Sequence, residues 1–191
     1  MTKVILASQS PRRKQLLQWA AIDFDIIVQS TDESYPAGLL PAEIAIYIAE
    51  QKNIAVRNSD QFKMYAPVTP VITADTIVVC NNDVIGKPKD RNDAIHLLQT
   101  LSGKKHMVIT GVIITSGDKT IRFADTTEVW FHPLTNAQIE FYVDNYNPYD
   151  KAGAYAIQEW IGVIGIEKIN GDFYNVMGLP VSRVVRELGG I

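Results

Sequence analysis

The short apolar run Val4-Ile5-Leu6-Ala7 passes through a polar turn directly into a helix that opens with three cations, Arg12, Arg13 and Lys14. This junction constrains the fold more than any other stretch. Ser10 is a good N-cap, Pro11 fits the first helical position because its missing N–H is not needed there, and Leu16, Leu17 and Ala20 supply an apolar helical face. A strand-turn-helix unit follows, the building block of an α/β chain. Each cation in the first turn faces the positive end of the helix dipole, at a cost of about 0.3–1 kcal/mol. A negative partner is therefore expected. Backbone N–H groups at the helix start, the hydroxyls of Ser8 and Ser10 and the forks of Arg12 and Arg13 together suit a phosphate. A solvated basic turn is the other reading of these residues.

The 191 residues suffice for a substantial core, and 47% hydrophobic with 20% charged residues is ordinary for a globular protein. No apolar run reaches the ~18 residues of a membrane helix, and Pro11 to Arg13 interrupt any secretory h-region, so a cytoplasmic protein that does not span a membrane is expected. Cys80 is the single cysteine and lies in an apolar run, which predicts a buried structural thiol. His96, His106 and His132 lack the spacing of a zinc site. A net charge of −3 argues against a broad surface for a nucleic acid polymer. A polyanionic ligand must then be small, and a divalent cation bridging its phosphates to carboxylates reconciles it with an acidic chain.

The periodicity predicts strands over 24–28, 71–79, 107–115 and 121–131, and helices over 41–57, 91–101 and 135–145. Short strands are expected at 163–166 and 173–176, and a last helix after Pro180. Thr135 to Gln138 has the form of a capping box, Asp90 is a cap for its helix, and Asn81-Asn82-Asp83 and Gly117-Asp118 mark hairpins. Residues 29–40 form a turn-rich loop, containing Asp32 and Glu33, that is long enough to suspect function. Lys52 falls on the apolar stripe of its helix, where a snorkelling stem and a functional ammonium are both open readings. Asp75 sits mid-strand among Val, Ile and Ala, so it must reach a cation, a hydrogen-bonding network or solvent. The first hairpin returns Gly86-Lys87-Pro88 towards the strand that carries Asp75.

Taken in order, Ala7-Ser8-Gln9-Ser10-Pro11-Arg12-Arg13, Asp32-Glu33, Lys52, Ala74-Asp75-Thr76-Ile77-Val78-Val79, Gly86-Lys87-Pro88, Asp150-Lys151-Ala152-Gly153-Ala154-Tyr155 and Gly178-Leu179-Pro180 resemble the Maf family of nucleotide pyrophosphatases. The resemblance covers nearly the whole chain. It departs from the family pattern at Gln51, where glutamate is frequent, and at Ala156 and Glu159, where glycine is frequent. It implies residues 1–191 as a single Maf-like domain, with a twisted mixed α/β sheet flanked by helices around a central cleft, as in the inosine triphosphate pyrophosphatases. A homodimer is also expected. Thr76 and Gln158 resemble the branch that acts on dTTP and UTP, giving the monophosphate and pyrophosphate.

On this resemblance Ser8, Arg12 and Arg13 hold phosphate oxygens, and Lys52 and Lys87 add positive charge as bonding changes at phosphorus. Asp75 orients or deprotonates water, and Glu33 with Asp75 binds Mg²⁺ or Mn²⁺. Arg12, Thr76 and Gln158 recognise the base. A nucleotide-binding regulator linked to cell division and a pyrophosphatase for methylated nucleotides are the rival readings.

Overall fold

In the computed structural model, residues 3–190 are described. Seven strands and seven α-helices follow one another along them: β1 (Val4–Leu6), α1 (Pro11–Trp19), β2 (Phe24–Ile26), α2 (Pro41–Arg57), β3 (Val71–Cys80), β4 (Asp83–Ile85), α3 (Arg91–Leu101), β5 (Lys105–Ser116), β6 (Lys119–Phe131), α4 (Asn136–Tyr146), α5 (Trp160–Gly165), β7 (Ile166–Asn170), α6 (Phe173–Met177) and α7 (Val181–Leu188). The strand order is β2-β1-β3-β5-β6-β7, with β4 paired to β3. Parallel pairing of β1 with β2 and β3, and antiparallel pairing of β3 with β4 and β6 with β7, make this the mixed α/β sheet expected.

The chain forms two compact units: residues 1–75, 110–125 and 178–191 in the first, and residues 76–109 and 126–177 in the second. In the first unit, α2 is seated by close backbone packing. A Cβ built on Gly111 of β5 would lie 2.3 Å from the Ala45 carbonyl carbon, so only glycine lets the helix and strand approach this far. Two polar ties complete the seat. Thr73 donates to the Ala49 carbonyl at 2.8 Å, and buried Asn53 accepts from Thr115 at 3.0 Å. The apolar stripe of Ile44, Ala45, Ile48, Ala49 and Val56 is buried alongside.

In the second unit, Thr135 caps α4 through the predicted box, and Asp90 caps α3. The first hairpin turns on Asn81 and Asn82, whose φ values of 52° and 70° are those of a tight primed turn. The strand expected at 163–166 is instead mostly helix α5, with β7 beginning at Ile166. Gly162 allows the helix: a Cβ there would lie 1.8 Å from the Ile157 carbonyl oxygen, and without one the first turn packs against that carbonyl while closing on the Glu159 carbonyl at 2.9 Å. The strand expected at 173–176 is helix α6, begun where the Tyr174 amide donates to the Asp172 carboxylate at 2.8 Å. In both places β-branched and aromatic residues made a strand the natural reading, and a local backbone constraint overrode propensity. Cys80 is buried, as expected of a structural thiol.

The second unit also buries an imidazole. His106 lies edge-on to Phe131 and Tyr155, with centroids 5.0 and 5.4 Å away, and its Nε2 is 2.7 Å from the Tyr155 hydroxyl. Burial pulls the His106 pKa from 6.5 down to about 4, against an opposing effect of the Lys104 backbone, and burial also raises that of Tyr155. Between those two pH values the unfolded chain binds a proton that the folded chain does not, so stability rises with pH across the window. The contribution is fully present above pH 6.5 and is lost as pH falls towards 4, by about 3 kcal/mol. Denaturant titrations at intervals across this window should show that decline. His106→Gln should flatten it, and a variant with an unchanged slope would assign the decline to other groups.

Candidate active site

The first unit holds six of the residues that the sequence analysis singled out for the site: Ser8, Arg12, Arg13, Glu33, Lys52 and Asp75. Ser10 caps α1, its hydroxyl accepting from the Arg13 amide at 3.4 Å, and no acidic residue stands in the first turn. Ser8, buried two residues after β1, accepts from the Ser10 amide at 3.1 Å and from Arg13 Nη1 at 3.4 Å. With both acceptor positions used, the proton of the Ser8 hydroxyl is the group's remaining means of meeting an anion.

Arg13 is held by the backbone of two distant segments. Its Nε donates to the Gly178 carbonyl at 2.7 Å and its Nη1 to the Ala74 carbonyl at 2.8 Å, so the guanidinium ties the start of α1 to β3 and to the segment before α7. Burial lowers its pKa, Asp75 acts in the opposite sense, and neighbouring Arg12 lowers it further. The group remains a cation throughout the ordinary pH range. Arg12 itself is half-buried in the same helical turn.

Asp75, next to Ala74, is the carboxylate that its strand neighbours made conspicuous, and it reaches a cation. Lys52 Nζ lies 2.7 Å from Asp75 Oδ1 and 2.8 Å from Glu33 Oε1. The lysine and aspartate side chains are only 18% and 14% exposed, so Lys52 is more than a snorkelling stem. Truncating one member of such a buried pair strands the other, at about 3 kcal/mol. Glu33 is half exposed and comes from the long loop, where Asp32 accepts from the Ser34 amide and hydroxyl at 2.9 and 2.7 Å. That turn holds down the Asp32 pKa and fixes the backbone that presents Glu33.

Thr76, Lys87 and Gln158 belong to the second unit. Thr76 directly follows Asp75 in β3. Lys87 is exposed, and the adjacent Gly86 carbonyl accepts from the Gly153 amide at 3.0 Å, which ties its segment to the 152–154 turn. Gln158 is exposed at the end of an otherwise buried run, Ala154 to Ile157.

Sequence reasoning did not single out Thr73, Asn53 or Gly111, which place Lys52 opposite Asp75. The faint signals were a polar residue beside Lys52 on an apolar stripe and a glycine inside a strand. Two carboxylates converging on one ammonium also present the oxygen chemistry that suits a divalent ion. Among the described residues no cluster of three or more His, Cys, Asp or Glu forms a protein-only cage.

Fold and centre define a class, a mixed α/β protein in which a cation-rich helix start shares a unit with a lysine held by two carboxylates. The sequence profile of the Maf-like proteins matches residues 3–191, and the chain belongs to that family. Over 187 residues it is 50% identical to a dTTP/UTP pyrophosphatase of Cytophaga hutchinsonii, an alignment covering 98% of this chain and 83% of that protein. It is 48% identical to a protein of the same name from Parabacteroides distasonis, with 97% and 94% covered. A third of that name, from Bacteroides fragilis, is 46% identical over the same shares.

The two carbonyl contacts of Arg13 give a test. Arg13→Lys keeps the charge but cannot serve the Gly178 and Ala74 carbonyls together, so it should lower stability by about 2 kcal/mol in urea titrations. A variant as stable as the wild type would show that those two contacts contribute little.

Proposed function

We propose that this chain is a hydrolase that cleaves dTTP and UTP between the α and β phosphates, releasing the nucleoside monophosphate and pyrophosphate. The observation that carries the reading is Lys52 held by Asp75 and Glu33 in the unit that also holds Ser8 and Arg13. The names and high identities of the relatives support it. A pocket that only bound phosphate would gain nothing from two carboxylates, which repel it.

In the reaction, water attacks the α phosphorus, the bond from that phosphorus to the α–β bridging oxygen breaks, and pyrophosphate leaves with the electron pair. Asp75 orients the water and accepts its proton. Ser8, Arg12 and Arg13 hold phosphate oxygens, and Lys52 and Lys87 offset charge that builds up on them. Gln158 offers a donor and an acceptor to a pyrimidine edge, with Thr76 and Arg12 contributing to the same choice. Glu33 and Asp75 fit Mg²⁺ or Mn²⁺, because both already direct oxygens at one cation. When bound, such an ion lowers the pKa of a coordinated water and neutralises phosphate charge.

Among the described residues no helix is long and apolar enough to cross a membrane. The proposal places the reaction in the cytoplasm, on free nucleotides rather than a nucleic acid polymer or a membrane, with the protein as a homodimer.

Chromatography of products from dTTP, UTP, CTP, GTP, ATP and methylated nucleotides tests the chemistry. Monophosphate and pyrophosphate from dTTP and UTP, abolished by EDTA and restored by Mg²⁺, are the expected result. Tight nucleotide binding without turnover would move the chain to the regulatory class. Asp75→Asn should lower kcat about a thousandfold while nucleotide still binds, and full activity would remove its role. Gln158→Ala should relax the preference for dTTP and UTP over CTP about tenfold with little change in stability. An unaltered preference would take base recognition away from Gln158.

A further inference from the structure

Gln158 has an exposed side chain on a backbone held from both sides. Before it, the Ala156 amide donates to the hydroxyl of Tyr142 at 3.1 Å, and the Ile157 carbonyl is pressed against Gly162. After it, Glu159 accepts the Tyr142 hydroxyl proton through Oε2, while its Oε1 lies 3.6 Å from Lys151 Nζ. Lys151 is 9% exposed and also reaches Asp150 at 2.8 Å. Tyr142 is fully buried on α4, so its hydroxyl is a fixed point rather than a mobile surface group. That one oxygen thus bonds the segment two residues before Gln158 and one residue after it. The Glu159 amide also donates to the Ala156 carbonyl at 3.1 Å, closing the loop around Gln158.

A glutamine that reads a base edge by hydrogen bonds discriminates only if its own position is fixed. An edge that must match donor to acceptor tolerates an error of a few tenths of an ångström, and a loose loop lets the amide follow the wrong base. An exposed side chain in a loop has few contacts of its own to supply that rigidity. Here it comes from the backbone, through a tyrosine and a glutamate whose side chains are turned to each other.

We propose that Tyr142 and Glu159 are positioning residues for base selection, fixing the backbone on both sides of Gln158 so that its side chain discriminates among pyrimidine triphosphates. This rests on the reading of Gln158 as the group that meets the base. Lys151 supports the arrangement by keeping the Glu159 carboxylate turned inward.

The test pairs a selectivity measurement with one that needs no substrate. Ratios of kcat/KM for dTTP over CTP are compared for wild type, Tyr142→Phe, Glu159→Gln, Glu159→Ala, Gln158→Ala and the Tyr142→Phe, Gln158→Ala double variant. Amide hydrogen exchange over residues 155–159 is followed in the same proteins. Tyr142→Phe should lower the ratio about tenfold, close to the ratio of Gln158→Ala, and add nothing to it in the double variant. Glu159→Gln keeps an acceptor for the tyrosine proton and should retain more of the ratio than Glu159→Ala. Exchange over 155–159 should quicken in Tyr142→Phe.

Unchanged exchange overturns the lock whatever the substrate. Faster exchange with an undiminished dTTP/CTP ratio overturns its part in selection, as does an equal loss of activity on all triphosphates. A wild-type protein without preference for dTTP or UTP would overturn both the base reading and the selective role, whereas a quickened exchange would still report the local restraint.

Discussion

An aspartate at the fifth position of β3, surrounded in sequence by Val71, Ile72, Ala74, Ile77 and Val78, commits the first unit to supplying a cation at that depth. A lone carboxylate there would carry a desolvation cost of several kcal/mol, and the fold meets it with Lys52. The lysine can do so only because α2 lies unusually close to the sheet. Gly111 removes the Cβ that would hold Ala45 off, Thr73 bonds the Ala49 carbonyl, and Asn53 engages Thr115. These contacts involve no charge, but they decide where the charge sits. Shifting α2 by about one ångström would stretch the 2.7 Å contact beyond hydrogen-bond length.

The opening of α1 works in a similar way. Three cations in a first helical turn are unfavourable on local grounds, yet Arg13 is spent largely on the backbone, on the carbonyls of Gly178 and Ala74. The same side chain that places a cation at the helix start also fixes the strand position next to Asp75. The proposed binding role and the positioning role thus fall on one group, and a lysine, which has a single point of attachment, cannot reproduce both.

Local rules made much of this legible in the sequence. The helix Pro41–Arg57, the Thr135 capping box and the Asn81-Asn82 turn each depend on residues within a few positions of one another, and all are found in the fold. Asp75 and Lys52 were each conspicuous for the same reason, as charges on apolar surfaces. Their mutual contact was not, because it spans 23 residues and is set by how α2 seats on β3 and β5. Helices α5 and α6 were misread as strands for a related reason. The composition of 163–166 and 173–176 favours a strand, but the close approach of Gly162 to Ile157 and the Asp172 cap are details of backbone geometry. The contact between Tyr142 and Glu159 was equally hidden, since it spans 17 residues and depends on how α4 packs.

The charges of the first unit's centre set a condition on what it can hold. Arg13 and Lys52 stand against Glu33 and Asp75, two cations against two carboxylates, so the group is formally neutral. A neutral cluster has no long-range pull on a polyphosphate, and the carboxylates repel it at short range. Tight binding of a triphosphate must then draw on other positive charge, and the same unit offers Arg12 and the positive end of the α1 dipole beside Arg13. A divalent ion held by Glu33 and Asp75, as proposed, would add positive charge at the same point and would leave the Lys52 ammonium, now shared by both carboxylates, available to the phosphate on which charge develops.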